Sequence, residues 1–203
     1  MYKRIVKRFF DILFGLVGIC SLVPLYILVK LFYICSGDFG NIIYKQSRIG
    51  KDGRPFYLYK FRSMVMNADE MLEHLLETEQ YRIEWERNQK IQDDPRVTKI
   101  GKFLRESSLD ELPQMINVLK GDMSIVGPRP LVKGELEDHG GTSLYWQVRP
   151  GITGWWACHG RSNVDYNERL EMEYYYINHC SLRLDIVCVC KTIVAVLWQK
   201  GAK

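Results

Sequence analysis

The stretch from Phe9 to Cys35, FFDILFGLVGICSLVPLYILVKLFYIC, constrains this chain more than any other feature. A helix needs about twenty apolar residues to cross roughly 30 Å of hydrocarbon, and this run is long enough. Three residues interrupt it. Asp11 and Lys30 lie near its ends, where an interfacial position lowers the cost of a charge. Pro24 lies in the middle, where its missing N–H removes a hydrogen bond and kinks or breaks a helix. A signal peptide fits poorly, because the run is too long and no small-x-small cleavage site follows it. Lys3, Arg4, Lys7 and Arg8 precede the run, and Lys45, Arg48, Lys51 and Arg54 follow it. Positive residues favour the cytoplasmic side, so both ends are drawn to one face. Charge and proline alone leave two paths open. One is a helix–break–helix that enters and leaves by the same face; the other is a spanning helix with a tolerated kink.

The 203 residues, 47% of them hydrophobic, suit one compact domain with an appendage. The natural division is a membrane segment over 1–36 and a globular domain over 37–203. Net charge is only +4, and neither a long basic run nor an aromatic-basic RNA motif is present, so no nucleic-acid partner is expected. The six cysteines (Cys20, Cys35, Cys158, Cys180, Cys188, Cys190) contain no CxxC pair, which argues against a disulfide scaffold or zinc ribbon and for a reducing compartment. His74, His139, His159 and His179 lack metal-ligand spacing; His159, between rigid turns, is at most a pocket-lining residue.

The pattern predicts an α/β chain that is mainly helical. Asn41–Gln46 and Pro55–Phe61 read as a β-hairpin turned at Lys51-Asp52-Gly53-Arg54. Asn67-Ala68-Asp69-Glu70 is a capping box for a helix to about Asn88. Thr98 caps a short helix through Arg105, and another helix ends at Lys120-Gly121. Ser124–Val126 is a short strand leading into the stiff loop Gly127-Pro128-Arg129-Pro130, and Val148–Gly154 is a second rigid turn. A charged, tyrosine-rich helix follows over Asp165–Asn178. The apolar Leu182–Trp198 helix suits a core or a membrane interface.

Ser107-Ser108-Leu109-Asp110-Glu111-Leu112-Pro113-Gln114 carries the chemistry. Helix starts attract phosphates through free N–H groups and the dipole. Two carboxylates there are one negative charge too many for a plain anion site. They make sense if one attacks phosphorus or if both hold a metal. The other reading is ordinary: acids in a first turn are favoured by the dipole alone. Ser108 with Glu111 matches a capping box, but that register puts Pro113 beyond the first turn. Starting the helix at Asp110 keeps Pro113 where proline is tolerated and makes Asp110 the cap. Lys60, Arg62, Arg96, Lys99, Arg105, Arg129, Arg149 and Arg161 recur near the turns, and guanidinium forks suit phosphate oxygens. Arg129 and Arg149 stand out because Pro/Gly turns fix their direction.

At these residues the chain resembles the bacterial sugar transferase family, the small monotopic phosphoglycosyl transferases. The matching blocks are Lys7–Asp11, the apolar run with Pro24, Lys60–Met64, Pro95–Gly101, Arg105–Gln114, Asn117–Ser124, Gly127–Pro130, Arg149–Gly154 and Gly160-Arg161. The resemblance implies transfer of a sugar-1-phosphate from a UDP-sugar to undecaprenyl phosphate, with release of UMP. It makes Asp110 the nucleophile of a covalent phosphosugar intermediate and Glu111 its partner. It implies Mg²⁺ at Asp110, and Lys60, Arg62, Arg96, Arg105, Arg129, Pro130, Arg149 and Arg161 as substrate-binding residues. It further implies a re-entrant helix broken near Pro24, interfacial amphipathic helices, and a cytosolic catalytic domain on the bacterial inner membrane. With no multi-spanning segment ahead of residue 1, the lean form of the family is expected. Two departures stand out: Val23 replaces the usual serine before proline, and Ala157-Cys158 replaces the usual Gln-Val. A non-catalytic membrane adaptor for anionic lipid or nucleotide is the alternative function.

Overall fold

The computed structural model describes residues 2–88, 91–159 and 164–197. A π-helical turn, Tyr2–Val6, leads into α1 (Lys7–Cys35), 29 residues or about 43 Å at 1.5 Å per residue. This helix runs through Pro24 without interruption, so the expected helix–break–helix is not what forms. Proline forfeits one bond and strains one turn, at about 3 kcal/mol. Packing on both sides offsets that cost, since Leu22 and Val29 are buried.

The buried stripe of α1 is Lys7, Asp11, Gly15, Gly18, Leu22, Val29 and Tyr33, spaced three, four or seven apart as one helical face requires. Phe9, Leu13, Leu16, Val17, Val23, Ile27 and Leu31 are exposed elsewhere on the helix. Polar contacts fasten both ends of the stripe. Arg8 donates to the carbonyls of Val118 (2.6 Å) and Leu119 (2.9 Å). Asp11 Oδ1 accepts from Ser124 Oγ (2.8 Å) and Ile125 N (2.9 Å). At the far end Tyr33 donates its hydroxyl to the Arg62 carbonyl at 2.6 Å. Between them Gly18 permits close approach, since a Cβ there would lie 2.5 Å from the Met115 side chain.

The hairpin forms as the β-prone segments predict. Strands β1 (Ile43–Ile49) and β2 (Pro55–Phe61) pair antiparallel from Ile43↔Phe61 to Ile49↔Pro55. The turn between them places Asp52 (φ 58°) and Gly53 (φ 72°) in the left-handed region. The helix expected over 67–88 is instead two, α2 (Ala68–Leu76) and α3 (Glu79–Asn88), and Asn67 makes no side-chain cap. Glu77 N and Thr78 N bond three residues back, closing α2 in a tightened turn. No residue of α2 is fully buried to hold one long rod in place.

Next come α4 (Lys99–Glu106) and α5 (Gln114–Lys120). Thr98 caps α4 as predicted, its Oγ1 accepting from Gly101 N at 2.9 Å. Gly121, at φ 89°, ends α5. The segment read as a rigid turn at 148–154 contains a strand, β4 (Gly151–Thr153), which runs parallel to β3 (Ser124–Val126). Two short helices were not anticipated, α6 (Glu135–Asp138) and α7 (Trp155–His159). The last helices are α8 (Tyr166–His179), capped by Asp165 accepting from Glu168 N at 2.8 Å, and α9 (Leu182–Leu197). The architecture is thus mainly helical with two two-stranded ladders. Its first core cluster joins Leu22, Val29 and Tyr33 of α1 to Ile42, Phe61 and Leu104. A second gathers Leu131, Leu136, Tyr145, Leu170 and Ile177.

Candidate active site

Asp110 and Glu111 lie on a 3-10 turn, Leu109–Glu111, between α4 and α5. This corrects the expected register: α5 begins at Gln114, Pro113 stands immediately before it, and Asp110 does not cap it. The cause is local. In an α-helix the Leu109 carbonyl would accept from residue 113, but proline has no N–H, so Leu112 N takes that acceptor at 3.1 Å. Ser108, at φ 56°, separates the turn from α4 and makes no side-chain cap. A left-handed non-glycine residue costs about 1–2 kcal/mol, so the surrounding contacts must hold it.

Those contacts come from the end of β2 and the residues after it. A Cβ at Gly101 would sit 1.8 Å from the Ser63 carbonyl oxygen, so α4 lies directly on that backbone. Thr98 N donates to the same carbonyl at 3.0 Å, and Arg105 Nε donates to Ser63 Oγ at 2.8 Å. Lys60 Nζ pairs with Glu111 Oε1 at 2.8 Å. From α5, fully buried Asn117 donates to the Tyr57 carbonyl (2.7 Å) and accepts from Tyr59 N (3.0 Å). The apolar neighbours of the acids, Leu109 and Leu112, pack into the same cluster as Ile19, Leu22 and Leu25 of α1. The acid pair therefore sits beside the middle of the long apolar helix.

Burial pushes the Asp110 carboxyl up to about 6. Lys60 and Arg105 oppose that rise, and the neighbouring Glu111 charge adds to it. Burial rather than surplus charge is therefore the main influence, since two carboxylates face two cations. The donor set fits Mg²⁺, which commonly takes one or two carboxylates and leaves its other positions to water and phosphate. Among the described residues no group of three or more His, Cys, Asp or Glu side chains forms a closed metal cage.

The other basic residues divide by their partners. Arg62 is buried, binds Asp38 Oδ2 at 2.9 Å, and stacks 4.6 Å from the Tyr33 ring, tying down the chain that leaves α1. Arg96 is buried and forks onto Asp94 through Nε and Nη2. Arg149 donates Nε to the Gly121 carbonyl at 2.7 Å, closing the turn after α5. Arg129 and Pro130 belong to a second cluster. There Arg129 N donates to Glu173 Oε1 (3.0 Å), and the Arg129 and Arg169 guanidiniums lie 5.6 and 4.8 Å from the Trp156 ring. Burial raises Glu173 to about 7. Arg161 lies outside the described residues. Sequence reasoning assigned no role to Asn117, Ser63 or Glu173. A polar Asn inside Met115-Ile116-Asn117-Val118-Leu119 was the available signal for the first of these.

The bacterial sugar transferase family model matches residues 2–199. The chain belongs to this family. Among its relatives are a UDP-galactose-lipid carrier transferase of Erwinia amylovora, 45% identical over 202 residues, and the undecaprenyl-phosphate galactose phosphotransferase of Salmonella typhimurium, 44% identical over 202 residues. Each alignment covers 98% of this chain and 42% of the relative, so the chain spans less than half the length of those proteins. The exopolysaccharide production protein ExoY of Sinorhizobium fredii is 42% identical over 200 residues, covering 98% of this chain and 88% of ExoY.

Proposed function

We propose that this chain transfers a sugar-1-phosphate from a UDP-sugar to undecaprenyl phosphate, releasing UMP, as the first membrane step of glycoconjugate or polysaccharide assembly. The observation that carries the proposal is the half-buried acid pair Asp110-Glu111, faced by Lys60 and Arg105, in a chain whose named relatives act on lipid carriers.

Asp110, once ionised, attacks the β-phosphorus of the UDP-sugar. The carboxylate oxygen–phosphorus bond forms, the bridging oxygen–phosphorus bond breaks, and UMP leaves. An oxygen of undecaprenyl phosphate then attacks the same phosphorus and frees Asp110, completing a ping-pong cycle. Lys60 and Arg105 stand beside the acids and offset charge on the pyrophosphate. Glu111, held by Lys60, keeps that cation at the site. Asp110, with Glu111 beside it, would hold Mg²⁺, which would supply further positive charge against the pyrophosphate. Arg129, exposed on its Pro-flanked loop, is suited to the distal part of the nucleotide.

The way α1 docks supports a one-faced path through the membrane. Contacts with the globular domain extend from Arg8 to Tyr33. A helix crossing the bilayer would carry the acid pair, whose neighbours Leu109 and Leu112 share a core cluster with Ile19, Leu22 and Leu25, toward mid-membrane, away from water and soluble nucleotide. An α1 that stays at the cytoplasmic face of the inner membrane, lying in the interface rather than crossing, keeps the site at the headgroups. Phe103 of α4 and Ile186, Ile193 and Val194 of α9 are exposed and suit the same interface.

A UMP-release assay over a panel of UDP-sugars with undecaprenyl phosphate tests the proposal. Wild type is expected to release UMP with at least one UDP-sugar, and Asp110→Asn to lose about 10³-fold or more. UDP-sugar binding with no UMP release from any of them contradicts it and favours an adaptor.

A further inference from the structure

We propose that Cys158 and Cys188 form a peroxide-responsive dithiol, in which Cys158 is oxidised first and Cys188 resolves it to a disulfide.

The two cysteines come from different helices and meet. Cys158 lies on α7 and packs against the core cluster of Val126, Tyr176 and Cys188. Cys188 belongs to that cluster from α9, and the two thiols lie near enough for each to shift the other's titration. Their surroundings differ: Cys188 is fully buried, whereas Cys158 is half-buried and next to exposed His159. Small oxidants therefore reach one sulfur and not the other.

The exposed side of Cys158 is built from basic groups. His159 Nδ1 lies 3.2 Å from Cys158 Sγ and 2.9 Å from the Trp155 carbonyl. Its other ring nitrogen, Nε2, contacts Lys191 Nζ. An ammonium can only donate, so Nε2 accepts, the ring proton sits on Nδ1, and that N–H faces the sulfur and the Trp155 carbonyl. Trp155 stacks on the imidazole with ring centroids 3.9 Å apart and fixes its orientation. The neighbouring Cys188 thiol, followed by His159 and Lys191, holds the Cys158 thiol below the ordinary thiol range. The same pairing, with burial, holds Cys188 above it. A thiolate at the surface and a neutral thiol behind it are the attacking and resolving halves of a redox pair.

The chemistry balances with hydrogen peroxide as the oxidant. Cys158 sulfur attacks a peroxide oxygen, the O–O bond breaks, and hydroxide leaves with a proton as water, giving a sulfenic acid. Cys188 sulfur then attacks Cys158 sulfur. The S–S bond forms, the S–O bond breaks, and the hydroxyl leaves with the Cys188 proton as a second water. Two thiols are oxidised by two electrons, and one peroxide is reduced to two waters. Neither step requires sugar transfer, so the inference stands or falls apart from the proposed function.

The test uses the full chain, purified reduced in detergent micelles and treated with hydrogen peroxide at pH 7. Catalase quenches the reaction before alkylation and peptide mass analysis. The expected result is a Cys158–Cys188 linked peptide, two hydrogens lighter and cleaved by dithiothreitol, with Cys158 consumed about tenfold faster than exposed Cys190. In Cys188→Ala the link cannot form, and a dimedone adduct accumulates at Cys158 instead. The proposal is overturned if Cys158 is oxidised no faster than Cys190. It is equally overturned if Cys158 in the wild type pairs with another cysteine or proceeds to sulfinate without linking to Cys188.

Discussion

Asp110 concentrates the account at the scale of one residue. Its carboxyl is raised to about 6, chiefly by burial. In the unfolded chain it titrates near 3.9. The native state therefore binds its proton more tightly, and above pH 6 the ionised carboxylate destabilises the fold by about 1–3 kcal/mol. Asp110→Asn is expected to raise the thermal midpoint at pH 8 by several degrees. The gain should shrink as pH falls through 6 and vanish below about pH 4, as scanning calorimetry of the metal-free protein at a series of pH values would show. A mutant no more stable than wild type at pH 8 would remove the burial argument. The same titration bears on catalysis. The attacking form is the carboxylate, so kcat/KM should fall about tenfold per pH unit below 6. Activity flat from pH 5 to 8 would mean that another group attacks. Lys60→Met, which removes one of two opposing cations, should move the break in that profile to higher pH.

Elements hold this residue where it is, and their contacts can be tested separately. Gly101→Ala drives a Cβ into the Ser63 backbone, which cannot swing aside as a side chain could. A loss of about 2–4 kcal/mol by urea unfolding is expected. Asn117→Ala strips the bonds to Tyr57 and Tyr59 from a fully buried site and should cost a similar amount. If either variant is as stable as wild type, α4 and α5 are not docked as described. The hairpin, the Thr98 cap and the glycine stop at Gly121 were legible in the sequence because each is decided within a few residues. Strand β4 was not, because three residues become a strand only when β3 lies beside them. The split between α2 and α3 was missed because a capping pattern at Asn67 says nothing about a helix with no buried face. At the acid pair the residue types could be read directly, but the register inferred from Pro113, with Asp110 as the cap, was not the one that forms. The 3-10 turn could not be read, because it depends on Ser108 turning left-handed and on Leu112 capturing a carbonyl that proline leaves free.

At the scale of the whole molecule, a long apolar helix and a polar site share one core. Charge and proline alone left a spanning and a dipping path open, because composition does not show what touches the helix, and only the family resemblance pointed to the dipping one. The docking contacts from Arg8 to Tyr33 favour the dipping path. In a background with all six native cysteines replaced, single cysteines at Ile5 and Lys51 are expected to react with an impermeant maleimide only from the cytoplasmic side. Labelling of the two positions from opposite sides would mean that α1 spans. The most direct test of the central claim is the intact mass of the protein after incubation with Mg²⁺ and a UDP-sugar that it uses, without lipid acceptor. The account predicts a stable gain of one sugar phosphate, located on the peptide containing Asp110, absent in Asp110→Asn, and discharged by undecaprenyl phosphate. Sugar-phosphate transfer to the lipid with no adduct at Asp110 would contradict it.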